Sequence, residues 1–225
     1  MPLKKADTTG RWDIYGPVHK GLRRAHAQMI QRLGCADFTG QVDELLKDLR
    51  AHIAMAAAHL TDEEVHIHTA LESRAPGATA LLTHQHDGHR LHMAELEEAI
   101  RAVESGKDQS VGRRLYLCFT RFVADDLEHM AEEETQTWPV LCAYFSDAEL
   151  ANIEMTIVSS LPRALSMAFM TAMVPAMNPQ ERAALLGGIK SGAPSDMYAQ
   201  LVETAVRPTL PAADFARLEA LGLAA

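Results

Sequence analysis

The chain is poor in aromatic residues, with only two Trp, four Tyr and six Phe among 225 positions. It has three cysteines, Cys35, Cys118 and Cys142, and no CxxC pair. An odd count cannot close into intrachain disulfides alone, so the three read as small buried hydrophobes in a reducing cytosol. No run of eighteen uncharged apolar residues occurs, which excludes a membrane span of ordinary kind. The most apolar stretch, residues 157–177, is broken by Pro162, Arg163 and Pro175. No apolar segment follows Lys4 and Lys5, so no signal peptide is expected and the protein reads as cytoplasmic. Positive charge is also short. The net charge is −9 with histidine neutral, which argues against nucleic acid as the partner.

What is present is helix-forming. The chain is 48% apolar and 23% charged, enough for a sizeable core, and its length fits one medium domain or one domain with an appendage. Ala, Leu, Glu, Met and Arg dominate, and alternating strand patterns are missing, so the fold class is all-α. Gly16-Pro17 opens a first helix and residues 34–40 break it. Ala75-Pro-Gly77 ends a second, Ser105-Gly-Lys107 ends a third, and a fourth runs from Ser110 toward Tyr144 with a kink expected at Pro139. Four long helices joined by short loops predict an up-down-up-down four-helix bundle. The domain reading is an N-terminal arm over 1–13, the bundle over 14–145, and a C-terminal helical extension over 146–225. In the extension, Ser146 and Glu149 form a capping box and Asn178-Pro179 opens a helix ending near Gly187-Gly188; short helices follow Ser195 and Ala212. Its methionines read as packing material.

The excess is histidine: eleven of them, all before residue 130. On a 3-4 repeat, helix one carries His19 and His26, and helix two carries His52, His59, Glu63 and His66. Helix three carries His86 and His89, and helix four carries Asp126, His129, Glu133 and Gln136. Eight histidines therefore share seams with apolar residues; His68, His84 and His92 do not. Burying the two seam glutamates without compensation would cost roughly several kcal/mol each, which a shared cation would offset.

Antiparallel neighbours are level where they lie equally far from their connecting loop. With loop centres near 38, 76 and 108, His19 and His59 agree to about two residues, or ~3 Å along the axis. His86 matches His129, and Glu63 matches His89. His19, His59, Glu63, His86 or His89, His129 and Glu133 thus converge at one end. The paired H-x3-E spacings, His59/Glu63 and His129/Glu133, put imidazole and carboxylate one turn apart on one face and leave room for two cations. The donor mixture suits iron, manganese or zinc. His26 and His52 lie level with each other, about 10 Å from His19 along the axis, and read as a hydrogen-bonded core pair, with a proton or ligand relay as the alternative. His66, near Glu63, is a substitute ligand or a partner to one.

Four stretches resemble the hemerythrin-like (HHE cation-binding) family of iron-binding bundles: His19-Lys-Gly-Leu-Arg23, His59-Leu-Thr-Asp-Glu-Glu64, Gln85-His86, and His129-Met-Ala-Glu-Glu-Glu134 followed by Trp138-Pro-Val-Leu141. The resemblance covers about residues 14–145. It implies two iron ions in a non-haem di-iron centre, oxo- or hydroxo-bridged when oxidised, with other divalent metals as substitutes. The ligands it implies are His19, His59, Glu63, His86, His129 and Glu133, with His89 as a further ligand or an alternative to His86. The chain departs from the oxygen carriers, which have H-x3-H on helix three and a late aspartate on helix four; the repeated H-x3-E is nearer the iron-repair and nitric-oxide-responsive members. The function so implied is binding or sensing a small gas ligand, O2 or NO, or handling iron under oxidative or nitrosative stress. Two alternatives stand beside it. One is a ferritin-like carboxylate oxidase using Glu63-x-x-His66 and Asp126-x-x-His129. The other is a metal-dependent sensor or interaction module, in which the Met-rich C-terminal helices bury a face on the bundle or on a second copy of the chain.

Overall fold

Residues 3–106 and 108–225 are described in the computed structural model of the protein. Met1, Pro2 and Lys107, the last of which helped to mark the end of the third helix, lie outside the described residues. Among the described residues the chain is all helix, without strands.

Four helical rods make the bundle. The first is α1 (Gly16–Gly34), opened by Pro17 in its first turn, where the missing proline N–H is no loss. The second comprises α2 (Asp43–Asp62), a π turn (Glu63–His68) and α3 (Thr69–Arg74). The third is α4 (Ala80–Ser105). The fourth comprises α5 (Gln109–Glu132), a second π turn (Glu133–Thr137) and α6 (Trp138–Tyr144). Asp108 caps α5 by accepting from the backbone N–H groups of Ser110, at 2.7 Å, and Val111, at 3.3 Å.

The π turns have local causes. In the second rod, the Thr69 hydroxyl donates to the carbonyl of Glu64, five residues back, at 2.9 Å. In the fourth, Pro139 has no N–H to give and its ring crowds the preceding turn, so the widened turn falls just before it, where a simple kink was expected. Each of these two π turns of the bundle begins at a glutamate, Glu63 or Glu133.

Two compact units divide the chain. One contains residues 1–15 and 25–159. In it a first apolar cluster joins Met29 and Leu33 to Leu46, Leu49 and Leu60, Leu96 and Ile100, and Phe119 and Phe122. A second cluster gathers Ile14 and Tyr15 with Ile67, Leu71, Val140, Leu141, Phe145 and Leu150. The arm is tied down in this unit: the Ala6 N–H donates to the Pro139 carbonyl, and Arg11 donates to the carbonyls of Cys142 and Phe145 and to Asp147. Helix α7 (Asp147–Ser160) opens with the expected Ser146–Glu149 capping box, the Ser146 N–H donating to Glu149 at 2.8 Å.

The second unit contains residues 16–24 and 160–225. Helices α8 (Arg163–Met173), α9 (Pro179–Gly192), α10 (Ser195–Leu201) and α11 (Ala212–Ala220) enclose Val174, Leu186, Tyr198, Val202, Ala205, Val206 and Phe215. Buried Arg182 donates to the carbonyls of Val174 and Met177. Two sequence expectations are corrected here and in the bundle. Helix α9 does not end near Gly187-Gly188 but runs through them to Gly192, because Ile189 packs into the cluster and Lys190 bonds the Gly222 carbonyl. The cysteines are all free, but only Cys142 is buried; Cys35 is exposed beyond the end of α1.

Candidate metal centre

In the bundle unit the two apolar clusters are separated by a layer of buried polar side chains. Along the second rod the apolar run stops at Leu60 and resumes at Ile67. Along the fourth it stops at Val123, returns at Met130, and resumes at Val140. Between these limits stand Glu63, 1% exposed, and Glu133, fully buried. Donor atoms of Glu63, His86, His129 and Glu133 all lie within 4.8 Å of one another.

Glu63 sits at the middle of this set. Its Oε1 is 3.1 Å from His59 Nε2, while its Oε2 is 3.5 Å from His86 Nε2 and 4.0 Å from His129 Nε2. One carboxylate therefore faces an imidazole from its own rod on one side and imidazoles from the third and fourth rods on the other. Glu133 Oε2 lies 3.5 Å from His129 Nε2, one helical turn away. The two inner nitrogens, His86 Nε2 and His129 Nε2, are 3.0 Å apart.

The outer nitrogens are also engaged. His86 Nδ1 is 3.0 Å from Glu64 Oε1, and Arg90 donates to the other Glu64 oxygen. His129 Nδ1 is 3.0 Å from Gln85 Oε1. Because Glu64 and Gln85 Oε1 only accept there, each Nδ1 carries the hydrogen and each Nε2 presents a lone pair inward. Burial would raise Glu64, but the bonds from Arg90 and His86 outweigh it and keep its carboxylate below the usual range. Burial lowers His86. Burial also pulls His129 down, but Glu63 and Glu133 outweigh it and leave its pKa raised.

A second polar chain runs away from the centre. His26 Nε2 is 2.7 Å from Asp126 Oδ2, and His52 Nε2 is 2.9 Å from His26 Nδ1, among Phe119 and Phe122. The level His26–His52 pair is present as a hydrogen-bonded core pair, extended by Asp126. His89 belongs to this side: its Nδ1 is 3.8 Å from Asp126 Oδ1 and its ring meets His129 edge-on at 5.0 Å.

The structure thus brings His59, Glu63, His86, His129 and Glu133 together and sets His89 apart beside Asp126. His19 is fully buried in α1, in the segment that belongs to the second unit. The seam reading fails at the next seam position after each glutamate. His66 is only half-buried and Gln136 is exposed, while His68 and Thr137 are buried in their stead. A π turn adds a residue to the turn and rotates everything after it, which a uniform 3-4 repeat cannot register. Two neighbours were also missed. Glu64 and Gln85 were within the recognised stretches but carried no role. Tyr15 is fully buried, and burial together with the charges of Glu133 and Glu63 holds its phenol well above its ordinary pKa.

Two carboxylates and several imidazoles, buried and convergent, make a donor set suited to iron, manganese or zinc, and the residues present fit such ions. Fold and site together define a cation-binding helical bundle. The profile of the Hemerythrin HHE cation binding domain matches residues 17–141, and the chain belongs to that family. Two zinc finger proteins named BRUTUS-like, both from Arabidopsis thaliana, are each 25% identical to it over 201 and 197 residues. Each match covers 82% of this chain but only 15% of the relative, so the chain spans a small part of their length. No solved structure gives a significant match.

Proposed function

We propose that this protein holds two non-haem iron ions between its rods and uses them to bind or sense a small diatomic molecule, O2 or NO. The observation that carries the reading is the position of Glu63, whose two oxygens face His59 on one side and His86 and His129 on the other. A carboxylate so placed could serve two cations, with Glu133 as a second carboxylate within the same group of donors. His59, Glu63, His86, His129 and Glu133 are the proposed ligands, with His19 kept as the sixth from its place in the sequence. Four donors around an ion leave positions for an outside molecule, and iron would supply the redox and gas-binding chemistry there.

The decisive experiment is metal analysis of protein produced with iron and handled without oxygen, together with an anomalous-scattering map at the iron edge. One to two irons per chain at Glu63 and Glu133 are expected. Protein that carries no iron and cannot be loaded with it would overturn the reading. A ferritin-like oxidase is disfavoured because His66, which its E-x-x-H pattern needs, is only half-buried. Retention of both metals by Glu133→Ala would restore that alternative. A sensor module has support from the relatives, in which the matching segment is a small part of a much longer chain; it differs in what reads the centre, not in the ligands.

A further inference from the structure

His68 ends the first π turn and is 5% exposed. Its ring stacks on that of His86, with centroids 5.0 Å apart and planes 24° from parallel. Both of its ring nitrogens are buried, and neither has a hydrogen-bond partner among the described residues. It is not among the donors that group with Glu63. In unbroken α-helix, His68 would point roughly 140° around the rod from Glu63, on the face the seam pattern assigns to it. The i→i+5 bonding of the π turn brings it back toward the Glu63 face.

A neutral imidazole has one N–H to give and one lone pair to offer, and burying both unmet is unfavourable. The residue lies against His86 and has a ring N–H that no protein group takes. His86 and His129, by contrast, each have a protein acceptor on Nδ1.

We infer that His68 receives the small outside molecule at this centre, donating its ring N–H to an anion or diatomic bound beside His86. The inference rests on the two-iron reading above and assigns the residue that selects what binds there.

The test uses azide as the probe, on iron-loaded full-length protein, followed by the absorption that azide acquires on binding iron. Iron per chain is measured in parallel for the wild type, His68→Phe and His68→Gln. The expected result is unchanged iron content in all three. Azide should bind His68→Phe about tenfold to a hundredfold more weakly, as loss of a hydrogen bond to a charged group implies. His68→Gln, which keeps an N–H, should recover part of that loss; should the Phe variant not fold, Gln against wild type decides, with a several-fold loss expected. Equal azide affinity in wild type and variants overturns the inference, as does iron-loaded wild type that binds no azide. Loss of iron from both variants would make His68 a ligand and overturn it too. Failure of the two-iron reading is distinguishable, because it appears as absent iron in the wild type, and the inference then falls with it.

Discussion

His86 and His129 face one another across the bundle with their Nε2 atoms 3.0 Å apart, each ring held from behind by a different kind of acceptor. Glu64, a carboxylate anchored by Arg90, holds His86; Gln85, a neutral amide, holds His129. Two lone pairs aimed at each other are mutually unfavourable until a proton or a cation lies between them. The acceptors behind them fix that aim. Outer partners of this sort typically change metal affinity by about 10- to 100-fold. Glu64→Gln and Gln85→Ala should each weaken metal binding by such a factor, read by competition with a chelator. Unchanged affinity in both would remove the orienting role.

Replacing a glutamate should separate metal binding from stability. Glu63 and Glu133 are almost wholly buried, and in metal-free protein their desolvation opposes folding. Glu133→Gln should leave the metal-free melting temperature unchanged or higher. In the wild type a bound ion at a thousand times its Kd adds about 4 kcal/mol, and this gain should vanish in the variant. Calorimetry with and without iron or zinc checks both halves.

Acid should weaken the metal-free protein through His52. Burial, reinforced by the neighbouring His26, lowers its pKa from 6.5 to about 3. Below pH 6.5 the unfolded chain takes up a proton that the folded chain refuses until about pH 3. The contribution is complete above pH 6.5 and is lost progressively as the pH falls toward 3. Urea unfolding at pH 7 and pH 4.5 should show this loss in the wild type and a smaller one in His52→Asn.

Two glycines inside helices should respond oppositely to alanine. A Cβ on Gly112 in α5 would lie 2.0 Å from Phe38 Cγ, inside the first apolar cluster. Gly112→Ala should therefore destabilise by about 1–3 kcal/mol or more, as overpacking does. A Cβ on Gly188 in α9 meets nothing within 4 Å. Gly188→Ala should stabilise by about 0.5–1 kcal/mol through the helix propensity of alanine. Thermal melts of the two variants side by side would show the opposite signs.

Much of this protein was legible in its sequence, and the failures share a cause. The rod boundaries followed from Gly16-Pro17, Gly34, Ala75-Pro-Gly77 and Gly106, whose backbone preferences act locally. The convergence of His59, Glu63, His86, His129 and Glu133 followed from a constant rise per residue, which the π turns disturb only after the glutamates. His66 was placed inside and His68 outside because angular phase accumulates along a rod, and one widened turn shifts everything beyond it. The Thr69 hydroxyl and Pro139 were visible as local causes, but nothing in a 3-4 repeat weighs them. Gln85 and Glu64 went unassigned for another reason: they act through His129 and His86 across rods, and spacing within one rod carries no such information.

The polar layer has a consequence for how the bundle opens. With Glu63, Glu133 and the imidazoles interrupting the apolar packing, the stretch around Ile67, Leu71, Val140 and Leu141 is joined to the rest by the rods themselves and by whatever lies in that layer. Cooperativity between the two halves should then depend on the ion. In metal-free protein the amides of α3 and α6 should exchange with solvent by a partial opening that leaves Leu49, Ile100 and Phe119 protected, whereas metal should merge both halves into one unfolding event.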